Sequence, residues 1–475
     1  MKSLILLLLL FCRLLMASDY HIGPNQPLND IADAPWATLQ AGDNVFIHWR
    51  AQAYQEKWVI NRQGTAQLPI SIIGVSNTSG QKPVIDGNNA VTVNGLNFWN
   101  EQRGVIKVGG SNTPSDGLPQ YIIIDNLEIR SGRPAYQFTD DNGNTQNYAS
   151  NAASIYVEKA AHLIIRNCII RDSGNGLFIG AFNGQTEDIL IEKNYIYDNG
   201  IVDRIFEHNT YTAAIDITYQ YNHFGPLRTG ALGNNLKDRS AGLKVRYNWI
   251  ESGNRQLDLV DAEDSQVLVN HPSYQQTFVY GNILIEPEGA GNSQIIHYGG
   301  DSGTTSDYRK GNLYLFNNTI ISTRSGNTTL IRLSTNDETA HVFNNIIYNT
   351  ANGNNMALIS GNGTLNLNNN WLPANWRDCH CSPLGSINDM GANIEASDPL
   401  FTDFAAQDFS LLDMSAVIDS GSILDPAVLP DNNVLQQYKK HLSAETRPVD
   451  STIDMGAYEY CDSGACESIF DNGFE

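Results

Sequence analysis

One short phrase recurs along most of this chain and limits what it can fold into: two or three alternating apolar residues, a variable residue, an asparagine, then more apolar residues. It reads Ile122-Ile123-Ile124-Asp125-Asn126-Leu127, Leu163-Ile164-Ile165-Arg166-Asn167-Cys168, Ile189-Leu190-Ile191-Glu192-Lys193-Asn194-Tyr195 and Val245-Arg246-Tyr247-Asn248-Trp249. It returns at Asn222, Asn282, Asn318, Asn345 and Asn370, so successive asparagines are 41, 27, 28, 26, 34, 36, 27 and 25 residues apart. A period of this size marks stacked structural repeats.

Each repeat alternates apolar and polar over only a few residues and carries no helical apolar spacing, so the repeats are coils of strands joined by turns. Asparagine suits a tight bend between strands, because it tolerates the left-handed backbone region and its amide can bond the next coil, about 4.8 Å away. Asn167, Asn194, Asn222 and Asn248 are therefore expected in one file. The longer gaps imply loops inserted on one face. The expected fold is all-β, a right-handed parallel β-helix. A solenoid adds coils to one continuous core, so 475 residues need not mean several domains.

Met1-Lys2-Ser3 followed by Leu4 to Leu10 reads as a signal peptide ending near Ala17 and Ser18, which predicts a secreted or periplasmic protein. No later stretch has the length of a membrane span. Cys168 lies on the strand phrase and reads as core, Cys461 and Cys466 as a local disulfide, and Cys379-His380-Cys381 as bridged, paired elsewhere or metal-binding. A net charge of −22 excludes nucleic acid as a partner. An acidic substrate would require a local cationic groove or a bound metal.

Gly64-Thr65-Ala66-Gln67-Leu68-Pro69-Ile70 and Pro83-Val84-Ile85-Asp86-Gly87 resemble the opening of secreted β-helix proteins of the pectate-lyase-like superfamily, in which a short helix, here Pro35 to Leu39, caps the first coil. Asp398-Pro399-Leu400-Phe401, Ile418-Asp419-Ser420-Gly421 and Ile453-Asp454-Met455-Gly456 resemble the closing module of such proteins, and Ile469 to Glu475 resembles tails of exported bacterial proteins. The resemblance implies a signal peptide at 1–18, a β-helix at 19–395, a C-terminal capping module at 396–460 and a tail at 461–475.

The densest unusual stretch is 207–264. If residues 236–240 form a strand, apolar Leu236 turns the even positions inward and sets Lys237 and Arg239 side by side on the outer face. Paired cations suit β-elimination of a uronic-acid polysaccharide, because the proton beside the sugar carboxylate becomes acidic only when that carboxylate is neutralised. The pair resembles the Lys and Arg of chondroitinase-B-type and alginate-lyase-type β-helix enzymes. There the two residues stand on different coils, whereas here they are two residues apart, which leaves the base and acid roles open. Lys237 is the favoured base and Arg239 the favoured charge stabiliser or acid, with His208 and Tyr211 one coil before them. An exposed Lys237 should contribute little to stability.

Asp258, Asp261, Glu207 and Asp216 form a candidate Ca²⁺ set. Asn209, Asn235, His297, Tyr298 and Arg309 are candidate substrate contacts, and the protein is expected to act as a monomer on an acidic polysaccharide. Two alternatives remain. One is a glycoside hydrolase with Asp258 and Asp261 as its carboxylates; the other is a non-catalytic glycan-binding surface protein.

Overall fold

The computed structural model describes residues 17–382, 384–448 and 452–461. The putting together of strands follows the repeat. Two 13-stranded sheets and one of 11 strands run the length of the molecule, and in the coils each strand pairs in parallel with its counterpart one coil later. A single turn of the chain shows the path. Glu187–Glu192 lies in the first sheet, Tyr195–Tyr197 in the second and Thr210–Thr212 in the third, and Ile215–Gln220 then returns beside Glu187–Glu192.

Alternation decides which side chains enter. In the first sheet Ile124, Ile165, Ile191, Tyr219, Val245, Val279, Leu315, Val342 and Leu367 stand opposite one another in register, all fully buried. Each such aliphatic side chain stabilises by roughly 1.5–3 kcal/mol relative to exposure. Cys168 is buried in the same core, as its place on the strand implies.

The asparagine file is present, with one correction. Asn194, Asn222, Asn248, Asn282, Asn318, Asn345 and Asn370 each donate from the side-chain amide to the Oδ1 of the next asparagine, ending on Asn393, at 2.9–3.3 Å. Each Oδ1 also accepts a backbone N–H from the coil before it. Asn167 is not in this file. Register sets Ile165 against Ile191, so Cys168 occupies the file position, and its N–H donates to Asn194. Asn167 instead falls on the residue before, which bends the chain with φ of 53°, as Lys193, Tyr221 and Tyr247 do in later coils. The left-handed bend and the amide ladder thus belong to adjacent positions rather than to one residue.

At the N-terminal end the short helix is a 3₁₀ turn at Ile31–Asp33, and 36–38 form a turn instead of a helix over Pro35 to Leu39. Trp36 donates to the Ile31 carbonyl at 2.7 Å and packs on Trp58. After the last coil strand, Ile394–Ala396, the chain forms two antiparallel hairpins, Phe401–Asp403 with Asp408–Leu411 and Gln436–Lys439 with Ser443–Thr446. Phe401, Phe409, Leu411 and Tyr438 pack against Trp249, Ile283, Ile346 and Trp371, the outward residues of the second sheet. The C-terminal segment therefore covers the second sheet's outer face. Cys379 and Cys381 are disulfide-bonded to each other. The signal peptide, the Cys461–Cys466 pairing and the tail fall largely or wholly outside the described residues. Among the described residues no helix is long and apolar enough to cross a membrane.

Candidate active site

The outer face of the third sheet carries the site. Parallel register lines up Lys107, Tyr156, Phe178, Tyr211, Lys237, Asp258, His297 and Arg332, one per strand, at a strand spacing of about 4.8 Å. The middle of this row opens into a cavity of about 640 Å³, lined by Phe178, His208, Tyr211, Lys237, Arg239 and Asp258 with Arg103, Arg204, Arg255, Glu263 and Asp301. Alternation holds as the sequence predicts: Leu236, Asp238 and Ser240 are fully buried on the opposite side from Lys237 and Arg239.

The two cations share the face but are not the free surface charges expected. Lys237 and Arg239 are only 7% and 6% exposed. Lys237 Nζ reaches Asp258 at 2.8 Å and Asp301 at 2.5 Å. Arg239 binds the other oxygen of Asp301 at 3.0 Å and Glu263 at 2.9 Å, and it donates to the Asp261 carbonyl. One carboxylate, that of Asp301, is thus held between both cations. Burial alone would lower the Lys237 pKa, but the Asp258 and Asp301 carboxylates outweigh it and raise it, so the group is an ammonium. Arg239 is likewise raised: burial opposes its charge, and Tyr211, Asp301 and Glu263 overcome that.

Tyr211 stands one strand before Lys237, and its hydroxyl oxygen accepts Arg239 Nε–H at 2.9 Å. His208 packs edge-on against Tyr211 with ring centroids 5.7 Å apart. Its Nδ1 accepts the Asn234 N–H at 2.9 Å, and burial, reinforced by Lys237, pushes its pKa down to about 3. The neutral ring therefore carries its one proton on Nε2, which leaves a donor rather than a base on the cavity side. Gly233 makes this approach possible, since a Cβ there would collide with the Glu207 carbonyl.

Asp258 is the hub of the row. It accepts from Asn234 at 2.7 Å, Lys237 at 2.8 Å and His297 Nδ1 at 2.8 Å, with Arg255 at 3.8 Å. Burial alone would raise its pKa, but Lys237, the His297 hydrogen bond and Arg255 hold it well below the carboxylate range. His297 also bonds Ser334 at 2.9 Å, and it acts as a buried support for Asp258 rather than a substrate contact.

Several sequence candidates are placed elsewhere. Asn209 and Asn235 are fully buried and bond each other at 2.8 Å, continuing from Asn199 as a second internal ladder. Tyr298 points into the core. Arg309, with no exposed surface, is the counterion of buried Asp238 at 3.3 Å. None of these four faces the cavity. The proposed Ca²⁺ set is not assembled: Asp216 is an exposed residue of the first sheet, Glu207 is paired with Arg204 at 2.9 Å, and the Asp258 oxygens are occupied by donors. Asp261 is buried, its Oδ1 accepting the backbone N–H of Asp301 at 2.8 Å. Among the described residues no group of three or more acidic, His or Cys side chains fits a metal ion. Sequence reasoning missed Arg103, Arg255 and Asp301. Only Asp301 carried a signal, in the loop phrase Gly299-Gly300-Asp301.

No protein-family model matches the chain, and neither does any curated sequence. Among solved structures, pectate lyase Pel9A superposes over 93% of this chain and 96% of its own at a TM-score of 0.50 and 10% identity. The chain has the pectate-lyase-like parallel β-helix fold. An alginate lyase from Paenibacillus sp. str. FPU-7 matches over 70% of this chain and 95% of its own length, at a TM-score of 0.47 and 13% identity. The Streptococcus pneumoniae surface protein and adhesin PfbA covers 74% and 89%, at 0.43 and 10%. Identities this low make the likeness one of fold, which hosts varied chemistry.

Proposed function

We propose that this protein is an exported polysaccharide lyase that cleaves a uronic-acid-containing chain by β-elimination in the cavity of the third sheet. The observation that carries the reading is the Asp301 carboxylate bound by Lys237 through one oxygen and Arg239 through the other, beside the Tyr211 hydroxyl. Two cations spaced to grip one carboxylate are what a uronate requires at the reacting sugar, and the Asp301 side chain, a third exposed, occupies that place in the free protein.

The roles follow from protonation. Lys237, an ammonium, neutralises the sugar carboxylate together with Arg239 and is not the base the sequence favoured. Tyr211 Oη, which Arg239 Nε–H contacts at 2.9 Å, carries the proton: having given up its own to solvent, it takes the one from the carbon beside the carboxylate. The resulting electron pair forms the C=C bond as the glycosidic C–O bond breaks, and the phenol returns the same proton to the leaving oxygen. His208 Nε2–H supplies a further donor at the cavity wall. Export is supported by the apolar start of the chain and by the Cys379–Cys381 disulfide.

The test is to incubate the mature protein with polygalacturonate, alginate and glycosaminoglycans, with and without chelator, and follow ultraviolet absorbance of unsaturated chain ends. A rise with at least one polymer is expected. Saturated products would point to hydrolysis, and binding without new ends to a glycan-binding role.

A further inference from the structure

One cation in the cavity has no counterion among the described residues. Lys237, Arg239 and Arg204 each hold a carboxylate, and Arg255 lies 3.8 Å from Asp258. Arg103 forms no ion pair or side-chain hydrogen bond among the described residues, and its Nε is buried with no partner. Two carboxylates of the same region are engaged elsewhere: Glu101 accepts from Thr92, and Glu158 binds Lys107 at 2.7 Å.

This unpaired guanidinium is held in place rather than adrift. It lies over two stacked rings, 4.6 Å from the Tyr156 centroid and 4.8 Å from that of Phe178. The 3₁₀ turn that carries it, Glu101–Arg103, is pinned from below by two buried lysines. Lys57 donates to the Glu101 carbonyl at 2.8 Å, and Lys107 to the Trp99 carbonyl at 2.5 Å. A guanidinium held beside these rings, with no acceptor among the described residues, keeps its N–H groups for a ligand, and a carboxylate matches its forked geometry.

We infer that Arg103 is a second carboxylate-binding subsite, which grips the uronate of a sugar other than the one being cleaved. Tyr156 and Phe178 stand three and two strands before Lys237 in the row, so the subsite lies roughly 10–14 Å from the reacting carboxylate at about 4.8 Å per strand. The inference rests on the lyase reading for the direction of the chain along the row, but it concerns binding and is tested as binding. A protein of net charge −22 repels an anionic polymer, and an unpaired arginine on the groove floor counters that where the chain must lie.

The experiment measures equilibrium binding of polygalacturonate, alginate and fully methyl-esterified pectin to the full chain and to Arg103→Gln and Arg103→Lys, with folding checked by circular dichroism. Each variant is also made in a Tyr211→Phe background, so that binding is read without turnover. Arg103→Gln should weaken binding of an acidic polymer about tenfold or more, and Arg103→Lys should restore it only in part. Binding of the neutral ester should not change. If the polymer is cleaved, KM for long chains should rise while kcat and the cleavage of short unsaturated-end-producing oligomers hold. Unchanged binding in Arg103→Gln, an equal loss with the neutral ester, or a wild-type protein that binds neither acidic polymer would overturn the inference. Absence of unsaturated products with the binding difference intact would overturn the lyase reading alone.

Discussion

Lys237 and Asp258 should behave as a buried pair whose loss is felt in stability as well as turnover. Breaking such a pair from one side costs about 3–5 kcal/mol where nothing else compensates. After Lys237→Met, Asp258 keeps hydrogen bonds from Asn234 and His297 and has Arg255 3.8 Å away, which brings the expected loss to about 2–3 kcal/mol. Asp258→Asn leaves Lys237 with the partly exposed Asp301, and a similar loss is expected. The double variant should lose less than the sum of the singles by at least about 1 kcal/mol, because the second substitution removes a charge already unpaired. Urea unfolding followed by tryptophan fluorescence supplies the four free energies. The Asp258 folded pKa is depressed, so its contribution is present above the unfolded carboxylate value of about 3.9 and is lost as pH falls from there toward the folded pKa. The gap between wild type and Asp258→Asn should therefore close in acid. Strict additivity, or a Lys237→Met protein within about 0.5 kcal/mol of wild type, would refute the pairing and return Lys237 to the exposed cation inferred from alternation.

Three other outcomes are expected. Tyr211→Phe should lower turnover by about a hundredfold or more with unfolding unchanged within about 1 kcal/mol, and near-normal turnover would remove Tyr211 from proton transfer. Asn222→Leu strips partners from the Asn194 amide, the Asn248 Oδ1 and the Ile191 carbonyl, and should cost about 3 kcal/mol or more; a neutral result in urea would show that the ladder is ornamental. His208, held neutral, should add no limb to the pH–rate profile between pH 5 and 8. Because its folded pKa is lowered, the unfolded state gains a proton first as pH falls below about 6.5, so stability should drop there in wild type and less in His208→Gln.

The coil architecture was legible because it is written in periodicity, and periodicity survives loop insertion. Alternation likewise placed Lys237 and Arg239 on one face without any knowledge of neighbours. Their burial was not legible, since the groups that enclose them come from the next strand, at Asp258, and from a loop, at Asp301, whose reach no spacing encodes. Asp216 and Arg309 failed for the same reason: proximity in sequence to the site said nothing of which sheet would hold one or which buried carboxylate would claim the other. Asn167 shows a finer failure. The phrase could be aligned on its asparagine or on its apolar residues, and packing chooses the apolar ones.

The amide ladder also acts as a jig. A one-residue slip of any strand would exchange its inward and outward side chains and break the row from Tyr211 to His297. Eight asparagines clipped nose to tail from Asn194 to Asn393 forbid that slip at a single corner of each coil, even where 34 or 36 residues separate neighbours instead of 26. Loop length above the groove is thereby uncoupled from registration of its floor, so the walls that meet the polymer can be lengthened, shortened or exchanged while the reactive side chains keep their seats.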